Sequence, residues 1–256
     1  MSVSVRVPPP FSGWSLSLYP GAGEAGGCFI AAGERRHSVG VKGAAADPER
    51  AAHEAGRRAK SRLRRYCAHN RLNRLGTLTY GPPRCTDPRE LRVHVASFFR
   101  QLRAVRGKPF PYVWVPEVHK DGVHFHVHFA VGSFIPRGQI DTAWGRGWVH
   151  IKQLNDLPVG SGAMAESRVA ANYLSKYVSK SFLDTGNGVI RPPGLHRFDV
   201  AQGFKPSVVK VPGTSRDEVI EHASGAMGGR PARLWTSDEV DDWKAPPALW
   251  LQWDGR

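Results

Sequence analysis

A chain of 256 residues, 41% hydrophobic and 23% charged, has the balance of an ordinary globular protein and room for one large domain or a domain with an appendage. No stretch nears the roughly 18 uninterrupted apolar residues of a transmembrane helix, and the N-terminus lacks the features of a signal peptide. A formal net charge of +14 favours a polyanion, with nucleic acid the first candidate. A membrane surface is disfavoured for want of a long amphipathic helix that sets a bulky apolar face beside a basic one.

Three cysteines, Cys28, Cys67 and Cys85, with no CxxC among them, read as reduced thiols of a cytoplasmic protein. The charge is uneven: residues 211–256 hold 5 Lys and Arg against 8 Asp and Glu, while the first 210 hold 31 against 14, a net +17. Residues 1–46, rich in Gly, Pro, Ser and Ala, read as a loosely ordered segment with short strands at most around Trp14–Leu18 and Cys28–Ala31. The chain thus divides into that segment, a basic domain over 47–210, and an acidic tail over 211–256 carrying half of the eight tryptophans.

Within the domain, Asp47-Pro48-Glu49 is a helix start, with a side-chain cap, a proline at the first turn and an acidic residue behind it. The helix runs to about His69. Arg57, Arg58, Lys60, Arg62, Arg64 and Arg65, followed by Arg71 and Arg74, have no acidic residue between them. A charge run is usually a solvated face, but one without acidic partners also suits phosphate contact. Arg74–Tyr80 reads as a strand, and Asp87 with Glu90 as the capping box of a second, strongly amphipathic helix ended by Gly107.

Pro111–His119 reads as a strand, Lys120-Asp121-Gly122 as a tight turn, and Val123–Val131 as the returning arm of an antiparallel hairpin. That arm alternates histidine with apolar residues, so one face is core and the other carries His124, His126 and His128. Three imidazoles on one face suit a divalent metal ion; the plain alternative is a half-buried strand with a polar side. A short helix at Ile135–Trp144, a strand at Gly147–Leu154, a loop at 155–163, a helix at Glu166–Phe182 and a fifth strand near Leu195–Ala201 follow. The order predicts an α+β fold: an antiparallel sheet of about five strands, of the split βαβ, ferredoxin-like kind, with helices on one face.

On the last helix, at about 100° per residue, Tyr173, Lys176, Tyr177 and Lys180 share one arc of about 100°. Ala171, Leu174, Val178 and Phe182 form a separate packing stripe. Each phenol stands beside an ammonium, which lowers the cost of a phenolate nucleophile. The plain alternative, Tyr half-buried and Lys snorkelling, explains one Tyr-x-x-Lys better than it explains two in tandem.

Leu75-Gly76-Thr77-Leu78-Thr79-Tyr80, then Glu117 with His124-Phe125-His126, then Tyr173-x-x-Lys176-Tyr177-x-x-Lys180 together resemble the three motifs of rolling-circle replication initiators among the HUH endonucleases. The likeness is greatest to the gene A and gene II replication proteins of small phages and to related plasmid initiators. It spans about residues 60–205 and implies an HUH endonuclease fold. It implies that His124 and His126 hold Mg²⁺ or Mn²⁺, with Glu117 as the candidate third ligand and His128, His119 or His150 as the alternatives for that place. It implies that Tyr173 and Tyr177 are nucleophiles accompanied by Lys176 and Lys180. The expected reaction is nicking and rejoining of single-stranded DNA at an origin through a 5′-phosphotyrosine, leaving a 3′-hydroxyl for a host polymerase. No Gly-x-x-x-x-Gly-Lys-Ser/Thr is present, so unwinding would fall to a host helicase or supercoiling. A transposase or relaxase with the same chemistry, a His-x-His zinc hydrolase or lyase, and a non-catalytic nucleic-acid-binding domain remain alternatives.

Overall fold

The structure, a computed structural model, describes residues 12–32, 47–152, 154, 162–183 and 196–254, the side chains of 179–183 excepted. In chain order the strands and helices are β1 (Gly13–Tyr19), β2 (Glu24–Ile30), α1 (Pro48–Asn70), β3 (Arg74–Tyr80), α2 (Pro88–Arg106), β4 (Tyr112–Val118), β5 (Phe125–Val131), α3 (Arg137–Trp144), β6 (Gly147–Lys152) and α4 (Gly162–Leu183). Then come β7 (Asp199–Val200), β8 (Val209–Gly213), α5 (Arg216–Met227), β9 (Arg233–Thr236) and β10 (Ala248–Gln252). The fold is α+β, with two antiparallel five-stranded sheets and five helices among the described residues. The chain forms two units, Asp47–Lys205 and Met1–Ala46 with Pro206–Arg256.

In the larger unit the strand order is β6-β3-β5-β4-β7. β3 and β4 each pair antiparallel with β5. They therefore run parallel to each other, joined through α2, with β5 inserted between them, which is the split βαβ arrangement. The helix ends follow the sequence signals. Asp47 and Asp87 accept hydrogen bonds from Arg50 N and Arg89 N, and Gly107 closes α2 at φ 66°. The fifth strand is shorter than expected, only Asp199–Val200 pairing with the edge of β4. The expected loop lies outside the described residues over 155–161, and α4 begins at Gly162.

Helices cover both faces of this sheet rather than one. Leu91, Val95, Phe98, Phe99 and Leu102 of α2, with Ile140 and Trp144 of α3, pack on Leu78, Val127 and Phe129. Leu63, Tyr66 and Cys67 of α1, with Ala170, Ala171, Leu174 and Val178 of α4, pack on Leu75, Val113, Val115 and Ala130. The physical reason lies in the register. Ala130 and the histidines share a face of β5 by alternation, and Val113 and Val115 stand opposite Ala130 and His128 on β4. Half of the histidine face is therefore apolar and must be covered. Fully buried Leu63 and Leu174 contribute about 2–3 kcal/mol each by leaving water.

In the smaller unit the strands expected around Trp14–Leu18 and Cys28–Ala31 are present as β1 and β2, and they share a sheet with strands of the 211–256 segment. β1 and β2 form a seven-residue hairpin, β8 pairs with β1 and β10 with β2, so both chain ends build one sheet ordered β8-β1-β2-β10-β9. Leu16, Leu18, Ala25, Val219, Leu249 and Leu251 form its core with Trp253. The partners of this hairpin are not readable locally, because β8 and β10 lie about two hundred residues away in the chain.

Candidate active site

The polar end of the β5 face is ordered by the ladder. One cross-strand row reads His150–Thr77–His128–Val115 and the next Trp148–Thr79–His126–Glu117. Thr77 Oγ1 lies 3.0 Å from His128 Nδ1 and Thr79 Oγ1 3.4 Å from His126 Nδ1. The two threonines of the first motif thus face His128 and, from the second motif, His126. Glu117 Oε2 is 2.6 Å from His128 Nε2, a diagonal contact between neighbouring strands. His128, only 5% exposed, is engaged at both ring nitrogens, as a buried imidazole must be.

His124 stands apart from this row, because β5 begins only at Phe125. It closes the hairpin: its carbonyl accepts from His119 N, and its Nδ1 lies 2.7 Å from Asp121 Oδ2. Asp121 also meets His119 Nδ1 at 3.1 Å and accepts from the backbone of Val123 and His124. The backbone and side chain of His124 hold the Asp121 carboxyl far below the usual carboxylate range. His119 stacks on His126 with ring centroids 4.9 Å apart. Burial, followed by the neighbouring His119, lowers the His126 pKa below its ordinary value.

These residues fit a divalent cation in the kind of donor they offer. Metal-bound histidines ordinarily carry a partner on the other ring nitrogen, and ligating carboxylates are themselves hydrogen-bonded. Here His124 has Asp121, His126 has Thr79 and Glu117 has His128. Among the described residues, however, no three or more His, Cys, Asp or Glu side chains form a group that could hold a metal ion.

α4 brings the phenols to the same face. Tyr177 lies flat on His128, with centroids 3.7 Å apart and planes 16° apart, and Tyr173 meets His128 edge-on at 6.0 Å. The Tyr177 hydroxyl donates to the Tyr173 hydroxyl at 2.9 Å. Burial, then that bond, raises the Tyr177 pKa well above its ordinary value. Lys176 Nζ is 5.9 Å from the Tyr173 ring centroid; the side chain of Lys180 lies outside the described residues.

Sequence reasoning missed Lys152, whose Nζ sits 4.5 Å above the Tyr173 ring. Period two along β6 was the available signal, since Lys152 shares the strand face of His150. Asp121 was read only as a turn residue; its place between His119 and His124 was the overlooked sign. Of the expected DNA contacts, Arg57, Arg58, Lys60, Arg62 and Arg74 are exposed and Arg64 and Arg65 half-buried. Arg71 is different. It caps α1 in the left-handed conformation at φ 54° and its guanidinium bonds the Ala68 carbonyl. The whole net charge lies in the larger unit: residues 47–205 hold 26 Lys and Arg against 12 Asp and Glu, whereas the smaller unit holds 10 against 10. No helix among the described residues is long and apolar enough to cross a membrane.

Residues 73–182 match the family model of the replication-associated proteins of the ORF2 and gene II type. The match takes in β3, the β4–β5 hairpin and α4, the three elements on which the resemblance to rolling-circle initiators rested. No curated protein and no solved structure matches the chain.

Proposed function

We propose that this chain, which carries a replication-associated segment of the ORF2 and gene II type, initiates rolling-circle replication by nicking and rejoining single-stranded DNA through a tyrosine. The family match supports the replication role and DNA binding at an origin. The observation that carries the chemistry is the stacking of Tyr177 on His128, which seats the hydroxyl-bonded tyrosine pair over the Thr77, Thr79, His126 and Glu117 row.

His124, His126 and Glu117 would hold Mg²⁺ or Mn²⁺, and that ion, when bound, supplies charge neutralisation at a phosphodiester. Asp121 accepts from Nδ1–H of a neutral His124 and so leaves its Nε2 for the ion, Thr79 faces Nδ1 of His126, and His128 steadies Glu117. Lys176 and Lys180 place ammonium groups on the face of α4 that carries the phenols. The tyrosine oxygen attacks phosphorus, the P–O3′ bond breaks, and the proton given up by the phenol ends on the departing 3′-oxygen by way of water. The phosphotyrosine ester keeps the bond energy, so the same site rejoins ends without a nucleotide cofactor. The free 3′-hydroxyl would serve a host polymerase, with strand separation supplied by a host helicase.

Incubation with labelled single-stranded DNA and Mn²⁺, followed by a denaturing gel, tests this reading. A band of protein covalently joined to DNA is expected. Its absence, with the protein folded and metal present, would overturn the proposed chemistry.

A further inference from the structure

A cavity of about 600 Å³ lies in the larger unit between the start of β3, the ends of β5 and β6, α3 and the first turns of α4. Buried Phe129, Ile135 and Ile140 line it, as does Phe134, which is 70% exposed. That size, and an apolar lining with few polar groups, is the ordinary make-up of a small-ligand site. Its polar corner is a built pair: Asn73 Nδ2 donates to Glu166 Oε2 at 2.5 Å, and Arg74 donates to Asn73 Oδ1 at 2.8 Å. That leaves Glu166 Oε1 and the second amide N–H of Asn73 for a ligand. The cavity is also next to the tyrosines. Lys152 lines it and holds its Nζ 4.5 Å over the Tyr173 ring. Glu166 and Tyr173 share one face of α4, about 10 Å apart along its axis. A single strand covers that distance in about three nucleotides when stacked at about 3.4 Å each, and in fewer when extended.

Resting on the nicking reading above, we infer that this cavity receives one base of the single strand close to the cut, and that the base is guanine. Guanine alone among the four bases carries two adjacent N–H donors, N1–H and the N2 amine, on its pairing edge. A carboxylate accepts both, and Glu166 has lone pairs enough for them and for Asn73. The neighbouring O6 of guanine accepts from the Asn73 amide. Each of the other bases would turn at least one acceptor toward the carboxylate and lose the two-point contact. Phe134 offers its ring face for stacking, and Arg74 and Lys152 meet the flanking phosphates. The cations place the strand, while Glu166 and Asn73 select which base stands beside Tyr173.

The test is a binding selection with the full chain and a random-sequence pool of single-stranded oligonucleotides in EDTA, read by sequencing. Nothing is cut without metal, so the selection reads the cavity apart from the chemistry. The wild type is expected to enrich a motif with a fixed guanine. Glu166→Gln keeps the size of the side chain and exchanges one acceptor for a donor. It should lower the preference for guanine at that position by about tenfold to a hundredfold, the worth of a good bidentate contact. Its affinity for the unselected pool should not fall, because phosphate contacts carry it. Phe134→Ala changes an exposed residue that the core does not need. It should weaken binding of the selected sequence about tenfold by loss of stacking. A motif without guanine, a guanine preference that survives Glu166→Gln, or unchanged affinity in Phe134→Ala overturns the inference. A covalent adduct with Mn²⁺ but no Glu166-dependent guanine leaves the nicking reading standing and removes the inference alone. A Glu166-dependent guanine with no adduct removes the nicking reading and leaves the cavity as a base-binding site.

Discussion

His128 and Tyr177 are stacked face to face, 3.7 Å between centroids, and this contact ties the polar face of the α4 helix to the histidine strand. The imidazole cannot slide, because Thr77 and Glu117 hold its two nitrogens from β3 and β4. Four elements of the larger unit therefore meet at a single buried side chain. Its rigidity carries over to the phenol and, through the 2.9 Å hydroxyl bond, to Tyr173.

Removing that ring should be costly. His128→Ala deletes the stack, opens a void under α4 and leaves Thr77 and Glu117 without their partner. Loss of a buried network member of this kind costs about 2–4 kcal/mol. Urea denaturation followed by circular dichroism would measure it. A midpoint equal to that of the wild type would mean that His128 does not tie the helix to the sheet.

Asp121 offers a test of the metal assignment that needs no DNA. If its contact with His124 Nδ1 orients a metal ligand, Asp121→Asn should weaken Mn²⁺ binding by roughly tenfold to a hundredfold, as loss of an outer partner usually does. His126→Ala should remove specific binding. Electron paramagnetic resonance of free Mn²⁺ in titrations reads both. Wild-type affinity in His126→Ala would move the ligand set away from this strand; wild-type affinity in Asp121→Asn would leave the carboxylate as a turn residue only.

The sequence made the larger unit legible because its signals are local. Caps at Asp47 and Asp87, the glycine stop at Gly107 and the alternation around His126 each act within a few residues, and the structure follows them. What escaped was non-local. The pairing of β1 and β2 with β8 and β10 joins residues about two hundred positions apart, and no periodicity records that. The second layer of helices followed from Val113 and Val115 standing beside Ala130 and His128, a matter of register between strands. At the site, the residue types of all three motifs were readable, while the partition of the histidines was not. His124 meets Asp121 through Nδ1 and His128 meets Glu117 through Nε2, and the paired strand begins one residue after His124, later than strict alternation implies.

Gly76 gives a prediction on packing alone. It pairs with Phe129 in the ladder, and a β-carbon on it would lie 2.3 Å from the Phe129 ring. That ring is wedged edge-on against Phe98 and Phe99 at 5.6 and 6.2 Å, so it has little freedom to yield. Gly76→Ala should destabilise by about 1–3 kcal/mol through overpacking. Thermal unfolding would register the loss. An unchanged midpoint would show that the aromatic cluster can repack.

The basic helix supplies the last prediction, because the structure separates two kinds of arginine within it. Arg57, Arg58 and Lys60 are exposed, although Arg58 has Glu54 3.9 Å away. An exposed pair of that sort is weak and readily exchanged for phosphate. Arg71 is committed to capping, and partial burial lowers its pKa. If α1 lies along the strand, each lost phosphate contact should reduce the slope of log affinity against log salt by about 0.7. Replacing Arg57, Arg58 and Lys60 together by Gln should therefore flatten the slope by roughly 2. Arg71→Gln should leave the slope unchanged and lower the unfolding midpoint instead. Fluorescence anisotropy with a labelled single strand over a series of salt concentrations reads the slopes. A triple variant with the wild-type slope would place the DNA on another part of the basic unit. A reduced slope in Arg71→Gln would mean that its guanidinium leaves the cap to reach phosphate.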